Sequence, residues 1–267
     1  MRKVFILSAS ALILISACGK KEAAAPAPAE TPTAAADAAA PAASREHLDA
    51  MRAQIAPVDM APDTSFLSAD DARVVNLLNQ AAGLMSEIYF RQISEANPAL
   101  RAGIAAGNNP DKEILLNLFD LHFGPWDTLD HDKPFYGSAE KPAGAAFYPV
   151  DMTKEEFEGH LAANPADASA FTSGYTVIRR DETGALKAIP YHLYYKEWIE
   201  PAAQLLREAA AITKNPSMKN FLTLRADAFL SDDYYASEMA WMDLDGPIEV
   251  AIGPYETYTD GLFGYKT

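Results

Sequence analysis

Five histidines, one cysteine and a late carboxylate–phenol pair are the residues of this chain whose types could do chemistry. A hydrolytic zinc centre uses three protein ligands and leaves one position open for water. The compact way to supply two of them is HExxH, which sets two imidazoles one helical turn apart on one helix face. None of His47, His122, His131, His160 and His192 begins such a motif. His122 and His131 flank Gly124-Pro125 with Asp127, Asp130 and Asp132 nearby, so a metal site there would require the loop to fold back on itself. Ordinary loop histidines account for them more simply, and no metal ligand is assigned. His160 and His192 read as helix-surface or packing residues. A lone cysteine cannot form a disulfide within the chain, and neither GxSxG nor GxxxxGK[ST] occurs. Near the end, Glu256 and Tyr258 stand two positions apart, beyond an apolar run at 248–252 that stops at Gly253-Pro254, and residue type alone does not set them above the other carboxylates and phenols of the chain. In extended backbone such a pair projects to one face, which lets both reach one cleft. A solvated loop carboxylate beside a packing aromatic is the alternative.

The elements that must position these groups begin well inside the chain. Arg2-Lys3 and the apolar run 4–15 have the form of a signal peptide, and the run is shorter than the roughly 20 apolar residues a membrane span needs. It ends in Ile15-Ser16-Ala17-Cys18, which resembles a bacterial lipobox. That likeness implies cleavage after residue 17, lipidation of Cys18 and insertion of the lipid into the bilayer. It places the chain in the bacterial cell envelope, with the periplasmic face of the outer membrane favoured by Gly19. Residues 18–45 are then a tether of Ala, Pro, Glu and Thr, without the large apolar side chains that could offset the entropy of ordering. The folded part is expected at 46–267, long enough for a substantial core. A formal net charge of −15 without clustered Lys or Arg excludes nucleic acid as the main partner.

Hydrophobic spacing makes the folded part a helix-dominated α+β domain. Val74, Val75, Leu78, Ala82, Met85, Tyr89 and Ile93 recur with helical period behind a Ser68 cap. Further helices are expected over 113–123, over 153–162 behind Thr153-x-x-Glu156, and over 191–213 with a kink at Pro201. Another is capped by Asn215-Pro216, and a last one follows Ser231. The β component is a hairpin near 174–190 around Asp181-Glu182-Thr183-Gly184 and a strand near 247–252. Residues 121–151 form a long irregular stretch holding Trp126, Phe135, Tyr136, Phe147 and Tyr148, and loops of that length are functional or packed on themselves.

The segment Ile252, Gly253, Glu256, Thr257, Tyr258 resembles the I-G-x-x-E-[ST]-Y sequence of the dipeptidyl peptidase III family of zinc exopeptidases. FGPWD at 123–127 and KPAGAAFYPVDM at 141–152 also look like segments of bacterial proteins of that group, and they read as architecture. The resemblance implies that Glu256 and Gly253 bind a peptide substrate, Glu256 taking its free N-terminal ammonium. It implies that Tyr258 is catalytic, donating to the oxyanion on the scissile carbonyl. Tyr255, Asp260 and Phe263 would then stand behind them or in the core. It further implies a zinc ion held by a downstream HExxGH, which this sequence lacks, since it stops nine residues after Tyr258. The expectation is therefore the N-terminal part of a zinc-dependent dipeptidyl peptidase III-like hydrolase with one wall of the substrate cleft. No catalytic zinc and no peptidase activity are expected of this chain by itself. A non-catalytic, lipid-anchored peptide-binding or scaffold lipoprotein is the alternative.

Overall fold

The structure, a computed structural model, describes residues 41–267; the signal-peptide residues 1–17 and Cys18 lie outside the described residues. The helices are α1 (Arg45–Ala53), α2 (Ala69–Ile93), α3 (Asn97–Ala106), α4 (Lys112–His122), α5 (Lys154–Ala163), α6 (Ala168–Phe171), α7 (Tyr191–Tyr194), α8 (Lys196–Ile212), α9 (Pro216–Phe229) and α10 (Tyr235–Met242). A 3-10 turn (Pro165–Asp167) and two antiparallel pairs, β1 (Trp126–Asp127) with β2 (Lys133–Pro134) and β3 (Thr176–Arg180) with β4 (Leu186–Pro190), complete the described elements. The domain is thus helix-dominated α+β, as the periodicity implies.

Several helix starts follow directly from local chemistry. Ser68 Oγ accepts from Asp71 N while Asp71 returns a bond to Ser68 N, a full capping box. Asn215 Oδ1 accepts from Ser217 N and Met218 N, and Pro216 occupies the first turn, where no N–H is needed. Thr153 caps α5 through Glu156 N, but the Glu156 carboxylate is taken by Arg180 and does not close a box.

The core is built by three helices and the hairpin. The inward stripe of α2 (Val74, Leu78, Ala81, Ile88) packs on α8, whose Ala202, Ala203, Ala209 and Ala210 let the helices approach closely. On its other side α8 meets α9 through Met218, Phe221, Leu222 and Phe229. The hairpin runs from Thr176↔Pro190 to Arg180↔Leu186, and Asp181 Oδ1 accepts from Thr183 N and Ala185 N across its turn. A smaller cluster gathers Leu48 and Met51 of α1 with Ile104, Leu115, Leu118, Phe119, Phe135 and Tyr136. Residues 41–44, assigned to the tether by composition, are engaged here: Ala42 bridges to Tyr136, and Ser44 caps α1. The long stretch at 121–151 packs on itself and on the core, with Phe135, Phe147 and Tyr148 buried and Trp126 Nε1 donating to Ala139 O at 2.8 Å.

Two expectations are corrected. Residues 247–252 form no strand. They have the alternation of one, with Ile248, Val250 and Ile252 packed on the core and Glu249 and Ala251 exposed. Among the described residues, however, no neighbouring strand exchanges backbone hydrogen bonds with them. Side-chain alternation orients a segment, but a sheet also needs a partner. The helical run at 191–213 breaks at Tyr195 and not at Pro201, which α8 carries without interruption. Pro201 denies a bond to the Glu197 carbonyl; both residues are exposed, so water can serve the freed acceptor.

Candidate functional site

A cavity of about 240 Å³ opens between α2, the α7–α8 corner, the end of α9 and the closing segment of the chain. Its wall is largely apolar: Met85, Ile88 and Tyr89 come from α2, with Tyr191, Tyr195 and Phe229 opposite. Helical period explains the α2 contribution, because positions 85, 88, 89 and 92 fall on one side of the helix. Gly253, Glu256 and Tyr258 all line this same cavity. The structure therefore brings together the three residues singled out in the closing segment, although no strand delivers them.

The rim and the depth of the cavity differ in character. Tyr258 is 79 % exposed, and Glu256 is exposed beside it. Tyr191 and Tyr195 are buried, and burial drives both phenols well above their ordinary pKa. Burial also raises Tyr89, reinforced by the nearby Tyr258 phenol and opposed by a hydrogen bond with Thr259. Neutral phenols, apolar walls and one side-chain carboxylate at the mouth suit a ligand with an apolar body and one cationic end. A carboxylate at the rim is matched by an ammonium group.

Two buried charges fix the chain on either side of this rim. Arg225 of α9 is 0 % exposed; its Nη2 donates to Glu238 Oε1 at 2.7 Å, and its guanidinium carbon lies 5.3 Å from the ring centres of Phe221, Tyr234 and Tyr255. Gly253 has φ +143°, and a Cβ there would stand 2.5 Å from Arg225 Nη1. Only glycine meets both conditions. Beyond the rim, buried Asp260 accepts from Tyr148 Oη at 2.6 Å, Leu262 N at 2.9 Å and Tyr265 N at 2.8 Å. Thr267 then returns beside the site, exchanging backbone bonds with Tyr255 and Glu256.

Sequence reasoning missed Arg225, although it left a trace. Positions 218, 221, 222, 226 and 229 form an apolar helix face, and Arg225 interrupts it with a charge. Asp260 is buried, and its carboxylate holds Tyr148 and the backbone after it, not Glu256 or Tyr258. Three of the five histidines are engaged elsewhere. His122 Nδ1 pairs with Thr128, His160 stacks on Phe171 and meets Asp167, and His192 pairs with Asp232. Among the described residues no three His, Cys, Asp or Glu side chains gather as metal ligands would.

With the geometry established, comparison with known proteins gives it a context. The structure of DPP III from Caldithrix abyssi superposes with a TM-score of 0.79 at 50 % sequence identity, over 81 % of this chain and 41 % of that one. This chain is a portion of a DPP III-like fold. The dipeptidyl-peptidase III from Corallococcus sp. strain EGB gives the same result, with a TM-score of 0.78 and 41 % identity over 82 % of this chain and 41 % of its own. A curated protein, Nudix hydrolase 3 of Arabidopsis thaliana, is 31 % identical over 261 residues, spanning 79 % of this chain and 34 % of that protein. No family model matches the chain. It thus spans well under half the length of these relatives.

Proposed function

We propose that this chain forms one wall of the peptide-binding cleft of a dipeptidyl peptidase III-like hydrolase that removes dipeptides from peptide N-termini. The observation that carries the reading is the convergence of Gly253, Glu256 and Tyr258 on one largely apolar cavity. In this reading Glu256 receives the free α-ammonium of the peptide, a charge-assisted contact that discriminates open from blocked N-termini. The bend at Gly253 turns the chain so that the carboxylate stands at the mouth. Tyr258, exposed at the rim, donates its phenolic proton to the oxygen on which charge develops during attack on the scissile carbonyl.

The described residues offer no ligand set that fits a catalytic zinc. No step is therefore routed through a metal, and attack by activated water is not assigned to this chain. Cys18 is proposed as the lipid attachment point that holds the domain at the bacterial envelope, on the strength of the sequence at 15–18. Loss of metabolic fatty-acid labelling on Cys18→Ala tests it, and labelling that survives the change rejects it.

The functional test is binding of a short peptide to the purified chain, with free and with acetylated N-terminus, read by titration calorimetry. Preference for the free amine by about tenfold or more, abolished in Glu256→Gln, is the expected result. Equal affinity for the two peptides rejects the reading. Turnover of a dipeptidyl arylamide by this chain alone rejects the assignment of a wall without its own water-activating centre. Binding with no hydrolysis even in the native full-length context transfers the chain to the peptide-capturing lipoprotein class.

A further inference from the structure

We infer that Arg225 is a positioning residue for the Glu256 side of this cleft: wedged beneath the bend at Gly253, it sets where the Glu256 carboxylate stands. The inference rests on the reading that Glu256 receives a peptide ammonium. Arg225 occupies a position on α9 whose neighbours on the same face are apolar and buried, and it is itself 0 % exposed. A leucine or methionine would fill such a position without desolvating a charge, so packing alone does not call for arginine.

What a guanidinium adds is a rigid plane with directed edges. One edge meets Glu238 of α10 at 2.7 Å. Toward the bend, Nη1 stands where it would meet any Cβ at position 253. The rings of Phe221, Tyr234 and Tyr255 surround the guanidinium at 5.3 Å. Two of these contacts, Gly253 and Tyr255, belong to the bend itself, and Glu256 follows directly. Among the described residues Arg225 Nε and Nη1 have no hydrogen bond of good geometry, so the group is held chiefly by shape, ring faces and one ion pair. The bend is in turn held by it. Tilting that plane moves the bend and, with it, the carboxylate one residue further on.

The discriminating quantity is the ratio of affinities for the free-amine and the acetylated peptide, measured by calorimetry on the whole chain. Arg225→Met is expected to lose most of that ratio while affinity for the acetylated peptide changes less than about twofold. Arg225→Lys, a point charge without the planar fork, is expected not to restore it. Arg225→Met with the wild-type ratio overturns the inference, and so does an equal loss on both peptides, which marks a merely structural role. If Arg225→Met does not fold, Glu238→Gln decides on the same ratio, because its side chain is partly exposed. A ratio unchanged in Glu238→Gln then overturns the inference. A wild-type chain with no preference overturns the ammonium reading and this inference together. A wild-type preference that survives at Arg225 but vanishes in Glu256→Gln overturns the inference alone.

Discussion

The closing segment divides at Asp260 into two stretches of similar composition and opposite fate. Residues 253–259 lie along the rim of the cavity, with Tyr258 79 % exposed, whereas residues 260–266 run back toward the core, with Tyr265 2 % exposed, before Thr267 returns to the cavity. Both stretches hold tyrosine and glycine, so residue type does not separate them. The partners do. Tyr265 Oη donates to the Phe171 carbonyl, its ring meets Phe147 and Tyr148, and its N–H is held by Asp260. Tyr258 has no comparable packing and stands beside Tyr89 and Thr259 at the cavity mouth. An anchored half places an exposed half at the cavity rim.

Substitutions on the two sides should separate just as clearly. Asp260→Ala removes the acceptor of a buried phenol and of two close backbone N–H groups, and should cost about 3 kcal/mol or more of stability in urea unfolding. A cost under about 1 kcal/mol would show that water replaces the carboxylate and that the anchor is not one. Gly253→Ala, strained both by its φ and by contact with Arg225 Nη1, should cost about 1–3 kcal/mol. It should also weaken peptide binding, which links the bend to the rim. At the rim itself, Glu256→Gln and Tyr258→Phe should leave stability within about 0.5 kcal/mol of wild type. Only their ligand readouts should change, and a stability loss comparable to that of Asp260→Ala would erase the contrast.

A pH dependence tests the smaller cluster, far from the rim. Burial lowers the pKa of His122 below its ordinary 6.5, against the pull of Asp127 and Asp132. Its proton is thus bound more weakly in the folded than in the unfolded chain. The folded state is favoured fully above pH 6.5 and loses that advantage as pH falls, while the unfolded chain takes up the proton first. Wild type should therefore lose more stability than His122→Asn between pH 7.5 and about 5.5. Parallel curves for the two proteins would reject the assignment.

Much of the frame was legible because its signals are local. Ser68, Thr153 and Asn215 stop or start helices through their own side chains, and Asp181–Gly184 closes a hairpin with bonds internal to the turn. The apolar periods of α2 and α9 state which faces are inward. The site was legible only as a segment: the sequence marks Gly253, Glu256 and Tyr258 by resemblance, and spacing alone leaves their surroundings blank. The strand expected at 247–252 failed because pairing is a property of two segments, and alternation describes one. The kink expected at Pro201 failed for a similar reason, since exposure decides how much a missing N–H costs, and the run breaks at Tyr195 instead.

By itself, then, the sequence determined α2, α4, α5, α8, α9 and α10, the caps at Ser68, Thr153 and Asn215, the hairpin, and a closing segment with a carboxylate and a phenol two residues apart. Each of these depends on neighbours within a few positions, where chemistry and chain geometry are fixed together. The helices α1 and α3 and the cap expected at Ser231 were not read correctly from it. Only the tertiary structure decided that Tyr258 is exposed while Tyr265 is buried, that Met85 and Tyr89 face Tyr191 across a cavity, and that Arg225 lies under Gly253 from 28 residues away. Those relations join elements remote in sequence. They arise from burial and close packing, which act on whatever the fold brings together.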